Sequence, residues 1–125
     1  MQCSVLTHTR GTYPRVSFCT IAEEILGAHY ELSVVLAGDT RARTLNVLHR
    51  KKNYIPNVLA FPLHARAGEI ILNPNKAVRE APQYGHTPRT HLTFLFIHAC
   101  LHLKGMDHSP RMEKLEKDYL ARFVR

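Results

Sequence analysis

His98, His102 and His108 lie in one short segment, His98-Ala99-Cys100-Leu101-His102-Leu103-Lys104-Gly105-Met106-Asp107-His108, whose spacing can close three imidazoles around a metal ion. Residues four apart on a helix project from one face, about a turn from each other, so His98 and His102 can share a ligand. His108 falls on the far side of any continuous helix. The chain must therefore turn back before it, and Gly105 is the residue type that ends a helix in the left-handed conformation. Neutral imidazoles suit zinc, copper, nickel or iron, and three protein ligands with one open position is the arrangement of catalytic zinc. One zinc ion held this way lowers the pKa of a bound water to about 7.

The competing reading is that these are core histidines, in a chain that carries nine. Residues 92–103 are apolar apart from Thr93 and the two histidines. Two adjacent imidazoles on such a buried face are costly without a partner, and this favours the metal. A zinc peptidase helix would carry a glutamate directly after its first histidine as the base acting on water; here that position is Ala99. The carboxylates nearest in sequence are Asp107, Glu113 and Glu116, and Asp107, in the turn beside His108, reads as a turn or orienting residue. The densest basic cluster is Arg50-Lys51-Lys52. A guanidinium fork matches phosphate oxygens bidentately, so the cluster favours a phosphodiester over a peptide, unless it only complements a helix C-terminus.

The elements that must position these residues can be read along the chain. At 125 residues, one domain over 1–125 is expected. A helix is expected at about 15–27, with Ile21, Ala22, Ile25 and Leu26 inward and Gly27 as its stop. A strand follows at 31–36, then a helix capped by Asp39 or Thr40 and running to about Lys52, with Leu45, Val47 and Leu48 turned inward. Strands are expected at 58–62 and 69–72, with a further short one around Val5 and Leu6. Asn73-Pro74 starts a short helix, residues 82–89 read as a mobile loop before the metal helix, that helix runs over about 88–104, and a charged helix closes the chain over about 110–122. Strands mixed with helices predict an α/β domain with a small mixed sheet, the central apolar helix being the metal-binding one.

Three widely spaced cysteines, Cys3, Cys19 and Cys100, read as reduced thiols, with Cys100 a small core side chain. No apolar run reaches membrane-spanning length and the N-terminal residues show no secretory stretch, so a cytoplasmic protein without membrane contact is expected. The formal charge of +7 favours phosphate backbones as partners. His8, His29, His64 and His86 read as surface or loop residues, and His91 as one that packs or hydrogen-bonds near the site or touches substrate.

Read in order, 46–53 (Asn46-Val47-Leu48-His49-Arg50-Lys51-Lys52-Asn53), 57–62 (Asn57-Val58-Leu59-Ala60-Phe61-Pro62), 68–71 and 91–108 resemble the successive motifs of the YbeY family of bacterial endoribonucleases. The match covers most of the chain. The resemblance implies a single-strand-specific, zinc-dependent endoribonuclease acting in ribosomal RNA processing, notably at the 3′ end of the small-subunit (16S) RNA, and in ribosome quality control. It implies His98, His102 and His108 as metal ligands to one zinc ion and Arg50 as the catalytic arginine, with Lys51 and Lys52 expected to bind substrate. Partners would be single-stranded and ribosomal RNA and the ribosome or its proteins, with no DNA. The chain departs from the family pattern at Ala60 (usually Ser), His49 (usually Tyr) and Met106 (usually Tyr). Two alternatives differ in class: a metal-dependent peptidase or other hydrolase, and a non-catalytic, zinc-containing ribosome-associated protein. The latter requires a fourth protein ligand, which the motif lacks.

Overall fold

The computed structural model describes residues 1–124. Four strands form one sheet in the order β1-β2-β4-β3, with β1 (Gln2–His8), β2 (Glu31–Ala37), β3 (Val58–His64) and β4 (Ala67–Leu72). β1 and β4 each run parallel to β2, while β3 returns antiparallel to β4, so the sheet is mixed as expected. The helices are α1 (Phe18–Leu26), α2 (Asp39–Arg50), α3 (Pro74–Glu80), α4 (Pro88–Leu103) and α5 (Pro110–Phe123).

The two faces of the sheet are unequal. Along β2 the side chains alternate, and Leu32, Val34 and Leu36 join Ile70 and Leu72 of β4 beneath α1 and α4 in the main core. The opposite face is small: Val35, Ala37, Leu59 and Ile71, with Leu45 of α2 and Phe61 against them. α4 lies at the centre of the main layer, against α1, α3, α5, β3 and β4, and nine of its sixteen residues are buried. It is apolar nearly all round because neighbours surround it.

Several elements depart from expectation. α1 begins at Phe18 rather than near residue 15, and β1 is seven residues long because β2 pairs with every one of them, although its own sequence is mostly exposed. α2 ends at Arg50, where Lys51 takes a left-handed φ of 59°, and its N-cap is Gly38 with no side-chain cap. Val47 and Leu48 are exposed, at 43% and 65%; the buried stripe is Ala42 and Asn46. The small apolar face under α2 accepts a narrow stripe, and Asn46 is satisfied there by hydrogen bonds instead of apolar contacts. β3 passes through Pro62 and extends to His64, with a register shift between Pro62 and His64. Residues 82–89 are no open loop: Ala81–Tyr84 form a 3-10 turn closed by Gly85 at φ 66°, and Thr87 caps α4 through Thr90 N–H.

The cysteine reading is corrected. Cys3 and Cys19 form a disulfide, with Cα atoms 5.7 Å apart, joining β1 to α1; only Cys100 is a free thiol, and it is buried in the core as expected. Count and spacing could not reveal this pair, because the crossover from β1 through α1 to β2 is what brings the two residues together.

Candidate metal centre

His98 and His102 stand one turn apart on the outward side of α4. Gly105, at φ 99°, ends the turn after that helix and sends the chain back, and Ser109 caps α5 by accepting from Met112 N–H. His108 sits between these two stops. The three rings meet: centroids are 4.5 Å apart for His98 and His102, 5.0 Å for His98 and His108, and 5.4 Å for His102 and His108. Their ligating nitrogens all lie within 4.8 Å of one another.

Hydrogen bonds at the back of the rings define which nitrogen each presents. Nδ1 of His102 donates to the Met106 carbonyl at 2.9 Å, and Nδ1 of His98 to Glu116 Oε2 at 3.1 Å. In the neutral rings, protons on Nδ1 leave both Nε2 atoms as acceptors, and the two face each other at 3.0 Å. Two lone pairs directed at one point with no proton between them fit a shared cation; two bonds of zinc–imidazole length at a tetrahedral angle would separate the nitrogens by about 3.3 Å. Burial holds His98 below the usual histidine value against the opposing pull of Glu116, which favours the neutral imidazole that ligation requires. The residues present fit a metal ion.

Glu116, on α5 and only 5% exposed, was one of three carboxylates near the site in sequence. Of the two roles read for Asp107, turn or orienting residue, it holds the first, exposed in the turn, while the orienting contact to His98 comes from Glu116. Met106 is a harmless departure from the family pattern at this point, since its carbonyl, not its side chain, holds His102.

The centre opens into a cleft of about 850 Å³, and Arg50 lines it. Arg50 Nη1 donates to Asn46 Oδ1 at 3.3 Å and to the Tyr54 hydroxyl at 3.1 Å, and Asn46 Nδ2 donates to the Tyr54 carbonyl at 3.1 Å. The guanidinium beside it holds the Tyr54 hydroxyl below the usual tyrosine value. Among the described residues no carboxylate pairs with Arg50, so its remaining N–H groups are available to an anion. Sequence reasoning missed Asn46; the signal was a polar residue four before Arg50 on the same helical face. Lys51 and Lys52 are exposed and do not line the cleft, whereas Lys117 and Glu113 of α5 do. Ala60 lines it without offering a hydroxyl, and His49 packs its ring on Phe61, 5.2 Å between centroids. His91 is fully buried, with Nε2 3.0 Å from Glu80 Oε1 and Nδ1 3.0 Å from Nδ1 of His86, so it packs near the site. His86 is half-buried against it.

These features define an α/β domain in which three imidazoles that could hold a metal ion share a cleft with an arginine bearing free N–H groups. A family model described as endoribonuclease YbeY matches residues 9–124. The chain belongs to the YbeY family of endoribonucleases, as the motifs implied. It is 32% identical over 118 residues to the endoribonuclease YbeY of Pseudomonas putida (strain W619), covering 84% of this chain and 75% of that relative. With the endoribonuclease YbeY of Novosphingobium aromaticivorans it shares 37% identity over 122 residues, covering 81% and 73%. A Thermotoga maritima protein solved in solution superposes with a TM-score of 0.68 at 26% identity, over 95% of this chain and 87% of that one. No helix among the described residues is long and apolar enough to cross a membrane.

Proposed function

We propose that this endoribonuclease cuts single-stranded RNA at the three-histidine centre with one zinc ion, and that its substrate is ribosomal RNA, including the 3′ end of the small-subunit RNA. The observation that carries this reading is the pair of bare Nε2 atoms of His98 and His102 facing each other in a cleft that also holds Arg50. His98, His102 and His108 would hold the ion, and when bound it supplies Lewis acidity toward a phosphodiester oxygen and toward the attacking hydroxyl.

Arg50 binds the phosphate. Asn46 and Tyr54 fix one of its terminal nitrogens, so the guanidinium is oriented before substrate arrives and stabilises the charge that builds on the phosphoryl oxygens. Glu116 keeps His98 in the tautomer that presents Nε2, and the Met106 carbonyl does so for His102. Lys51 and Lys52 lie just past Arg50 at the end of α2 and draw RNA toward the cleft through their field, without forming its wall. Work on ribosomal RNA implies a cytoplasmic protein that meets the ribosome or its proteins and takes part in ribosome quality control.

The test is metal analysis with cleavage of a defined single-stranded RNA by the wild type, His102→Ala and Arg50→Ala. His102→Ala should lose both metal and cleavage. Arg50→Ala should keep the metal and lose turnover by roughly 100- to 1,000-fold, the scale for removing one charge-stabilising donor. RNA cleavage that persists after metal removal overturns the reading, and loss of metal in Arg50→Ala assigns that residue to structure.

A further inference from the structure

One wall of the cleft is aromatic. Tyr84 lines it with 55% of its surface exposed, and among the described residues its hydroxyl makes no hydrogen bond. The ring is nonetheless firmly seated: it ends the 3-10 turn that Gly85 closes, and it rests on the imidazole of His91, 4.7 Å between centroids at 32°. His91 cannot shift easily, because it is fully buried and bonded to Glu80 at one nitrogen and His86 at the other. Glu80 is itself held by Asn57 Nδ2 at 2.7 Å. Phe94, half-buried and 6.4 Å from Tyr84, continues the row toward the metal centre, where its ring is 6.5 Å from that of His98.

We propose that Tyr84, continued by Phe94, is a stacking platform for a base of single-stranded RNA, one that seats the nucleotide flanking the phosphate held between Arg50 and the three histidines. The inference rests on the function proposed above and deepens it. An aromatic ring backed by fixed rings and more than half exposed in the cleft is what an unpaired base requires, and such stacking tolerates any sequence. A base inside a duplex can reach Tyr84 only after leaving its own stack, so the platform supplies a physical origin for a preference for single strands.

The test measures binding in the presence of a chelator, so that no cleavage intervenes, using a fluorescent oligouridylate and the same oligomer with abasic sugars. Tyr84→Ala should weaken oligouridylate binding roughly 5- to 150-fold, the range expected for one stacked base. Tyr84→Phe and Tyr84→Trp should retain it, and abasic RNA should bind the wild type and Tyr84→Ala alike. Unchanged binding by Tyr84→Ala, an equal loss on abasic RNA, or a wild type that does not distinguish the two RNAs overturns the platform. Metal-dependent cleavage of the oligouridylate with the same KM in wild type and Tyr84→Ala sinks the platform alone; a wild type that cuts no RNA sinks the function beneath it.

Discussion

The carboxylate of Glu116 stands behind the His98 ring at the cleft wall, and its contribution is exerted through His98. Removing such an orienting partner weakens metal binding by about 10- to 100-fold. Glu116→Ala should therefore lower zinc affinity on that scale in a chelator competition, and Glu116→Gln, whose amide oxygen can still accept from Nδ1, should lose less. A different residue-scale effect concerns Tyr30, whose hydroxyl is buried without a hydrogen-bond partner among the described residues and whose titration burial pushes up. An unpaired buried hydroxyl costs about 1–3 kcal/mol, so Tyr30→Phe should leave stability unchanged or raise it by up to about that amount in urea denaturation. Gly68 lies against this ring: a Cβ there would come within 2.5 Å of the Tyr30 hydroxyl and 2.9 Å of Leu103, which is why a strand interior carries glycine at that position.

At the scale of elements, the Cys3–Cys19 bridge crosslinks the exposed edge strand to the helix layer. It closes a loop of 16 residues in the sequence, for which loss of the crosslink is expected to cost about 3 kcal/mol. Cys3→Ser, or reductant added to the wild type, should lower the denaturation midpoint accordingly, while metal content stays the same because the histidine cleft is lined by β3, at the opposite edge of the sheet from β1. The helix that carries two of those histidines was legible because α4 is long, apolar and capped at both ends by residues whose roles are local: Thr87, Pro88 and Gly105. The inward face of α2 was not. Leu45 does pack on the sheet, but Val47 and Leu48 face outward, because the sheet beneath offers so little apolar surface that Ala42 and a hydrogen-bonded Asn46 complete the stripe. Glu116 was unreadable for a related reason: it lies 18 residues from His98, and only the packing of α5 on α4 brings the two together.

For the whole molecule, charge and pH set the working range. Asp39 at the start of α2 accepts from Asn73 Nδ2 at 2.8 Å and pairs with Arg79 at 3.1 Å, and these bonds hold its carboxyl below the usual 3.8. A carboxyl depressed on folding contributes stability that is fully present above its unfolded value and is lost as the pH falls through the folded one. Thermal stability should decline below about pH 4, and Asp39→Asn should flatten that acid limb while lowering stability at neutral pH. The basic surface, at +7 overall, should make RNA affinity fall steeply with salt, whereas metal binding by three neutral imidazoles should respond little.

Pro62 has a consequence for how the molecule behaves in a crowded cell. β3 is an outer strand of the sheet, running beside the cleft, and the proline offers no N–H to a neighbour there while the register shift at His64 bends the ladder away. A second chain therefore finds no continuous row of donors and acceptors at the β3 edge, so the side of the sheet beside the cleft is guarded against strand addition by a neighbour on the same RNA, whereas the exposed β1 edge carries no such break.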